Sequence, residues 1–131
     1  QQEYYQRLLA VRTEGDWEGW LAFFLECMSE AAKDGVAVAQ QLFALIGRDR
    51  QKLMAQARVT IPAIRLFDQL PAHPIVMLST AIKLLRTTKP TASKAIAALT
   101  EAGILRETTG KQRDRVYAYH GYLRVLTADA E

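Results

Sequence analysis

The sequence of 131 residues contains a single cysteine, Cys27, so no disulfide can form within the chain. Cys27 falls inside an apolar helical pattern, with no neighbouring group that would activate its thiol. We therefore expect a small core side chain rather than a reactive thiol. A chain without disulfides is typical of the reducing cytoplasm, so we predict a cytoplasmic protein.

Long apolar runs are also missing from the chain. The stretch over residues 35–46 is short and carries Gln40 and Gln41, whereas a membrane span needs about 20 apolar residues. We therefore expect no membrane segment.

No basic segment followed by an apolar core opens the chain, so we also expect no signal peptide. Because the chain begins at Gln1 rather than at a methionine, we expect a fragment of a longer protein.

The residue patterns of the common catalytic and metal sites are absent from the sequence as well. His73 and His120 are far apart and have no partners at the spacing of metal ligands. There is no Ser-His-Asp grouping, no glycine-rich phosphate-binding loop and no dinucleotide fingerprint. Paired carboxylates lie around or on helices, on faces that solvent would cover. We predict no catalytic residue, no metal site and no cofactor.

What the chain does have is a large apolar fraction and mixed charge. Half of the residues are hydrophobic and 24% are charged, with a formal net charge of +3. This apolar content excludes a disordered chain. The length corresponds to one domain or two very small ones.

The charge is distributed unevenly along the chain. Residues 1–60 carry 7 Lys/Arg against 8 Asp/Glu, whereas residues 61–131 carry 10 against 6. Within the second part, residues 83–115 hold 8 basic and 3 acidic residues. Such a local excess is what a surface that binds a polyanion would need. An ordinary solvated surface would also account for it, so charge leaves both interpretations open.

Residues 1–60 read as a helical segment of about three helices. The first ends at Glu14-Gly15, Asp16 is a good N-cap for the second, and Asp34-Gly35 is expected to separate the second from the third. The second helix has a broad apolar stripe, which is wide enough to bury against another helix or a partner. Its members are Trp17, Trp20, Leu21, Phe24, Cys27, Met28 and Ala31.

Residues 61–131 follow a different pattern, with short helices, a short strand and a hairpin. A helix begins near Pro62, a strand covers residues 75–78, and Ser79 or Thr80 is expected to cap the next helix. Thr88 is expected to cap a further helix that Gly103 ends, and strands over residues 104–108 and 115–119 form a hairpin. The fold class predicted is mainly α, with the N-terminal helical segment followed by a winged helix-turn-helix domain with a small β-hairpin wing.

Residues 87–105 closely resemble the recognition-helix signature of bacterial winged-helix regulators. The resemblance implies that this helix enters the major groove of duplex DNA, while the wing contacts the neighbouring backbone or minor groove. Small side chains at Ala92, Ala95 and Ala98 allow close packing on its inner side. The expected DNA-binding residues are Thr88, Lys89, Thr91, Ser93 and Lys94 on the helix, and Lys111, Arg113 and Arg115 on the wing.

A second interpretation of the winged helix stays open. The outer face of the helix lacks Arg, Asn and Gln, the side chains that make bidentate contacts with bases, so backbone contact is favoured over base readout. Winged helices also serve as protein-interaction or dimerisation modules. The wide apolar stripe around Trp17, Trp20 and Phe24 favours this alternative, because an exposed apolar patch favours a homodimer.

The N-terminal part carries a family resemblance. The residues 3–12, Glu-Tyr-Tyr-Gln-Arg-Leu-Leu-Ala-Val-Arg, followed by Gly-Asp-Trp-Glu-Gly-Trp-Leu at 15–21 and Phe-Phe-Leu at 23–25, resemble the C-terminal stretch of the bacterial Fic (Fido) family. In that family this stretch follows the catalytic helix, and a winged helix-turn-helix often comes after it. The resemblance implies a C-terminal regulatory region that binds duplex DNA, or an interaction module that positions a separate Fic core.

The chemistry of the Fic family depends on a His-Pro-Phe-x-Asp/Glu-Gly-Asn-Gly-Arg loop, which supports transfer of AMP from ATP to a protein hydroxyl. The only partial match is His73-Pro74, which continues as Ile75-Val76-Met77 without the glycines or the asparagine. The resemblance therefore carries no catalytic residue to this chain, which we expect not to be an enzyme. It implies a parent adenylyltransferase whose catalytic core would be a partner of these residues.

Overall fold

The computed structural model describes residues 1–128, which form six α-helices and one three-stranded antiparallel sheet. The predicted class, mainly α with a small hairpin, is confirmed. None of the helices in these residues combines the length and apolarity that crossing a membrane requires. The elements are α1 (Gln2–Glu14), α2 (Trp17–Met54), α3 (Ile61–Gln69), β1 (Ile75–Met77), α4 (Leu78–Leu85), α5 (Lys89–Glu101), β2 (Arg106–Glu107), β3 (Val116–Ala118) and α6 (His120–Ala128).

The turn between α1 and α2 forms where the sequence predicts it. Gly15 adopts a left-handed conformation with φ of 68°, and its amide donates to the Val11 carbonyl. The Asp16 carboxylate accepts a hydrogen bond of 3.1 Å from the amide of Gly19, which satisfies one free donor of the first turn of α2. The expected end of α1 and the expected N-cap of α2 are both confirmed.

The helix that follows does not stop at Asp34-Gly35, and this part of the prediction is wrong. α2 is one continuous helix of 38 residues. Gly35 does not take the left-handed conformation that a terminating glycine needs. A glycine inside a helix costs roughly 0.5–1 kcal/mol relative to alanine. The stability of the helical segments on both sides of Gly35 exceeds that cost. The second and third predicted helices are therefore a single helix.

The chain divides into two compact units, and the second begins at Gln40. The first, Gln1–Ala39, has no buried side chain; the ring of Tyr4 on α1 meets that of Trp20 on α2 edge-on, with centroids 5.5 Å apart. Cys27 is exposed, so the expectation that it lies in a core is wrong. The second unit includes residues 40–60 in addition to the expected winged-helix domain.

The second unit has a single apolar core between α3, α4, α5 and the sheet. β3 lies between β1 and β2, and Ala118 pairs with Ile75 on one side and with Arg106 on the other. This order of helices and strands is that of a winged helix-turn-helix, with β2 and β3 forming the wing hairpin. The largest fully buried side chains are Tyr119, Phe67, Leu53, Leu66, Leu70, Leu85, Leu99, Ile104, Leu105 and Val76.

Two local predictions in this unit need correction. α4 begins at Leu78 with Met77 at its N-cap and no capping side chain, so the cap expected at Ser79 or Thr80 is wrong. β2 is limited to two residues. The predicted strand placed Ile104 and Leu105 on opposite faces, but both side chains are buried in the core. Burial of adjacent side chains is incompatible with a strand that has one face toward solvent.

The C-terminal part of α2 belongs to the core of the second unit. Leu53 is fully buried, and the Asp49 carboxylate, only 5% exposed, accepts a 2.6 Å hydrogen bond from the Tyr119 hydroxyl. Burial and this hydrogen bond raise the pKa of Tyr119, so its hydroxyl keeps its proton and donates across the neutral range. Gln56, which follows α2, is also attached to α5, because its side-chain amide donates to the Ala98 carbonyl at 2.9 Å.

Candidate nucleic-acid interface

The candidate interface is built on the outer side of α5. Four side chains hold the inner side of this helix in the core, Ala92, Ala95, Ile96 and Leu99, which confirms its expected buried face. The small alanines let α5 lie close to α3 and α4. Gly103, with φ of 77°, follows the end of the helix and allows the chain to turn toward the wing. The outer side, with Lys89, Ser93, Lys94 and Ala97, is exposed.

The two threonines at the start of α5 are hydrogen-bonded to each other. Thr88 is at the N-cap position, but its side chain makes no capping hydrogen bond to the helix backbone. Its hydroxyl instead donates to Oγ1 of Thr91 at 3.0 Å. Thr88 is exposed and Thr91 is half-buried. The predicted position of the N-cap is confirmed, but its side chain makes no capping bond. The amides of Lys89 and Thr91 are left available for another acceptor, whereas Pro90 between them has no N–H.

The wing loop between β2 and β3 is ordered by hydrogen bonds. The Glu107 carboxylate accepts from the amide of Thr109 at 2.9 Å, from its hydroxyl, and from the amide of Gly110 at 2.8 Å. Gly110 has φ of 65°, which suits glycine. At the other end of the loop, Nε of Arg115 donates to the Lys111 carbonyl at 2.6 Å. These bonds fix the position from which the wing presents its cations.

Glu107 was missed by the sequence analysis, although it precedes a Thr-Gly turn by two residues. The hydrogen bonds from the Thr109 hydroxyl and the Gly110 amide favour the carboxylate form and lower the pKa of Glu107. The charged form therefore stabilises the wing above the ordinary glutamate pKa, and this contribution is lost as the pH falls through the lowered pKa. At neutral pH the wing loop has its full set of hydrogen bonds.

An open groove with a volume of about 1210 Å³ runs between α5, the start of α4 and the wing. It brings together four of the eight predicted DNA-binding residues: Lys89 and Ser93 from α5, and Arg113 and Arg115 from the wing. The helix and the wing are therefore positioned to contact one ligand at the same time.

The groove also contains carboxylates and an apolar floor. Glu101, Glu107 and Asp114 line it, equal in number to the three cations Lys89, Arg113 and Arg115. The charge of the groove itself is therefore balanced, and any net attraction for a polyanion must come from cations around it. The apolar lining consists of Met77, Leu78, Ile82, Ile96, Ala97 and Tyr117.

The other predicted residues lie outside this groove. Lys94 lines a second, smaller groove beside the first, together with Arg58, and Ala97 and Glu101 of α5 line both grooves. Arg58 was not predicted, because it precedes α3 and only the fold brings it beside α5. Lys111 is exposed on the wing, and neither it nor Thr88 and Thr91 line either groove. Cations thus line both of the grooves that α5 helps to form.

A comparison of the chain with models of known protein families gives no match. Within residues 1–128 there is also no group of three His, Cys, Asp or Glu side chains arranged to hold a metal ion.

Proposed function

We propose that the second unit binds duplex DNA, with α5 in the major groove and the wing on the adjacent backbone. The observation that carries this proposal is the shared groove, which Lys89 and Ser93 of α5 line together with Arg113 and Arg115 of the wing. In a winged helix-turn-helix these are the two elements that meet a double helix together. One duplex can therefore satisfy both sets of side chains.

The residue types on α5 support contact with phosphates more than reading of bases. The uncapped amides at its N-terminus and the Ser93 hydroxyl are donors for phosphate oxygens, and Lys94 adds a cation one residue further on. α5 contains no Arg, Asn or Gln to form bidentate pairs with guanine or adenine. We therefore expect modest sequence preference and a large electrostatic component of binding.

The overall charge of this part of the chain supports the same proposal. Residues 40–131 carry 14 Lys/Arg against 7 Asp/Glu. This excess includes cations that do not line the groove of balanced charge, such as Lys94, Arg58 and Lys111. A DNA-binding role also agrees with the proposed cytoplasmic location, where a bacterial chromosome is accessible.

The test is the affinity of the full chain for a mixed-sequence duplex, measured by fluorescence anisotropy from about 50 to 200 mM salt. In the variant Lys94→Ala/Arg113→Ala, the slope of log affinity against log salt should become less steep by about 2, since each phosphate contact contributes about 1. The matched control is Arg65→Ala/Arg124→Ala, which removes the same charge from residues that line neither groove. The control should bind within about twofold of the wild type, because long-range charge effects are screened.

Equal weakening in both double variants would show that net charge alone attracts the DNA, and would contradict an interface on α5 and the wing. Binding that does not respond to salt would contradict phosphate contact altogether.

The second candidate function is a protein-interaction module. The apolar floor around Ile82, Ile96 and Tyr117, together with the balanced charge of the groove, favours a peptide or protein surface over a polyanion. This candidate predicts little or no DNA affinity at about 150 mM salt, and the duplex titration separates it from the first.

We further propose that these residues are the C-terminal regulatory region of a Fic-like protein whose core transfers AMP, while this part of the chain has no enzymatic role itself. The support is the resemblance of residues 3–25 and the winged helix that follows them. The genomic reading frame upstream of Gln1 provides the test. A frame without the glycine-rich catalytic loop would contradict the proposal.

A further inference from the structure

The first unit exposes far more apolar surface than a two-helix unit normally leaves in water. Nine large apolar side chains of residues 1–39 have exposed fractions between 44% and 66%, and no side chain of this unit is buried. Among these nine, Tyr5 and Leu9 lie four residues apart on one side of α1. The unit has therefore no core of its own and needs a covering partner.

The apolar side chains of α2 follow a regular spacing. Apolar or small residues recur at alternating intervals of four and three from Trp17 through Val38, and this is the repeat with which helices pack side by side. Leu25 and Trp20 lie on the two flanks of this row, so the apolar face is broader than a two-stranded seam and suits a bundle. The row consists of Trp17, Leu21, Phe24, Met28, Ala31, Gly35 and Val38.

Three charged side chains in the middle of the same helix segment lie on the side away from this row. Glu26, Glu30 and Lys33 follow one another at intervals of four and three on the opposite side of α2. Residues 1–39 carry 7 Asp/Glu against 3 Lys/Arg, so two copies would repel each other if these carboxylates met. A charge-free row on one side allows two acidic copies to come together with their carboxylates outside.

The exposed area agrees with what a dimer needs. Nine large side chains at these exposed fractions present on the order of 1,000 Å². A stable protein–protein interface covers about 800 Å² on each partner. In a dimer with twofold symmetry, the same patch of both chains forms the interface. The regularly spaced apolar row of α2 can pair with the same row of a second chain in this way.

We propose that the apolar face of α1 and of residues 17–39 of α2 binds the same face of a second copy, forming an intermolecular helical bundle. The interface is self-complementary, so each copy covers the exposed aromatic and aliphatic side chains of the other. This proposal does not depend on DNA binding. If the second unit does bind DNA, each dimer would carry two winged helices.

The test uses two alanines of α2 that are both exposed in the single chain. Ala31 lies in the apolar row, whereas Ala37 lies beside Lys33 on the charged side, so Ala31→Glu and Ala37→Glu add the same charge to the same helix in different places. Sedimentation velocity of the full chain should give twice the chain mass of 14.7 kDa for the wild type. Ala31→Glu should weaken dimerisation at least tenfold, because the dimer would bury two carboxylates, and Ala37→Glu should change it less than twofold.

Far-UV circular dichroism on both variants shows whether α2 keeps its helix content. A monomeric wild type at about 100 μM would overturn the proposal and assign the face to a different protein or to another segment of a longer chain. Equal effects of the two variants would also overturn it, since the interface would then not follow the apolar row. Dissociation by Ala31→Glu alone, with helix content unchanged, is the supporting result.

Discussion

Asp49 and Tyr119 are 70 residues apart in sequence and form the one hydrogen bond between two buried side chains recorded in residues 1–128. Asp49 also has Lys52 at 3.7 Å, but the ammonium is largely exposed and contributes little. The Tyr119 hydroxyl is therefore the donor that compensates for burial of the Asp49 carboxylate. This pair joins α2 to the residue that follows the wing.

Tyr119→Phe should lower the free energy of unfolding by about 1–3 kcal/mol, because it leaves the buried carboxylate without its donor. Asp49→Asn keeps an acceptor for the hydroxyl and should cost less than half as much. Urea unfolding followed by circular dichroism measures both. Equal stability of Tyr119→Phe and the wild type would mean that solvent reaches Asp49.

The inner face of α5 was predictable from the sequence, and pairs between distant residues were not. The spacing of Ala92, Ile96 and Leu99 identified the inner side of α5, and the structure confirms it. Arg58 beside Lys94 and Asp49 beside Tyr119 depend on how elements pack, which no local spacing specifies. Glu107 lies between these cases, because its partners are local but Glu is not a characteristic turn residue.

At the scale of elements, two glycines of the second unit have opposite roles. Gly103 is left-handed with φ of 77°, where a side chain is strained. Gly47 lies inside α2, exposed, with nothing within 4 Å of the position of an added Cβ. The same chemical change at these two positions should therefore have effects of opposite sign.

Gly47→Ala should raise the free energy of unfolding by about 0.5–1 kcal/mol, because alanine favours the helix. Gly103→Ala should lower it by roughly 1–2 kcal/mol, the cost of a left-handed conformation for a residue with a Cβ. Thermal unfolding measured side by side provides the comparison. A shift of the same sign in both variants would contradict the assignment of these backbone conformations.

Helix ends were predictable where a glycine coincided with a change in the direction of the chain. Gly15 and Gly103 both end helices as expected. Gly35 carries the same signal, but α2 continues through it because apolar and alanine residues on both sides keep helical conformation. A glycine is therefore a stop signal only when the residues after it gain more from leaving the helix than from extending it.

At the scale of the whole molecule, stability is unequally distributed between the two units. Both tryptophans, Trp17 and Trp20, lie in the first unit, which has no buried side chain, whereas the core residues lie in the second. Tryptophan fluorescence therefore reports the first unit, and far-UV circular dichroism reports mainly the helices of both. The two signals can separate the unfolding of the units.

We expect the fluorescence midpoint in urea to lie below the midpoint of the main circular dichroism transition. If the first unit is covered by a second copy, tenfold dilution should destabilise it by about 1.4 kcal/mol while the second unit stays unchanged. Coincident transitions at every protein concentration would contradict both the division into units and the dimer interface.

The local pattern of residues was sufficient for the helical class, the winged-helix order and the exposed side of α5, because periodicity and turn residues act over a few neighbouring positions. The joining of α2 into one helix, the groove shared by α5 and the wing, and the membership of residues 40–60 in the second unit arose from packing. The reason is that packing energy depends on which surfaces of distant elements meet, and neighbours in sequence do not contain that information.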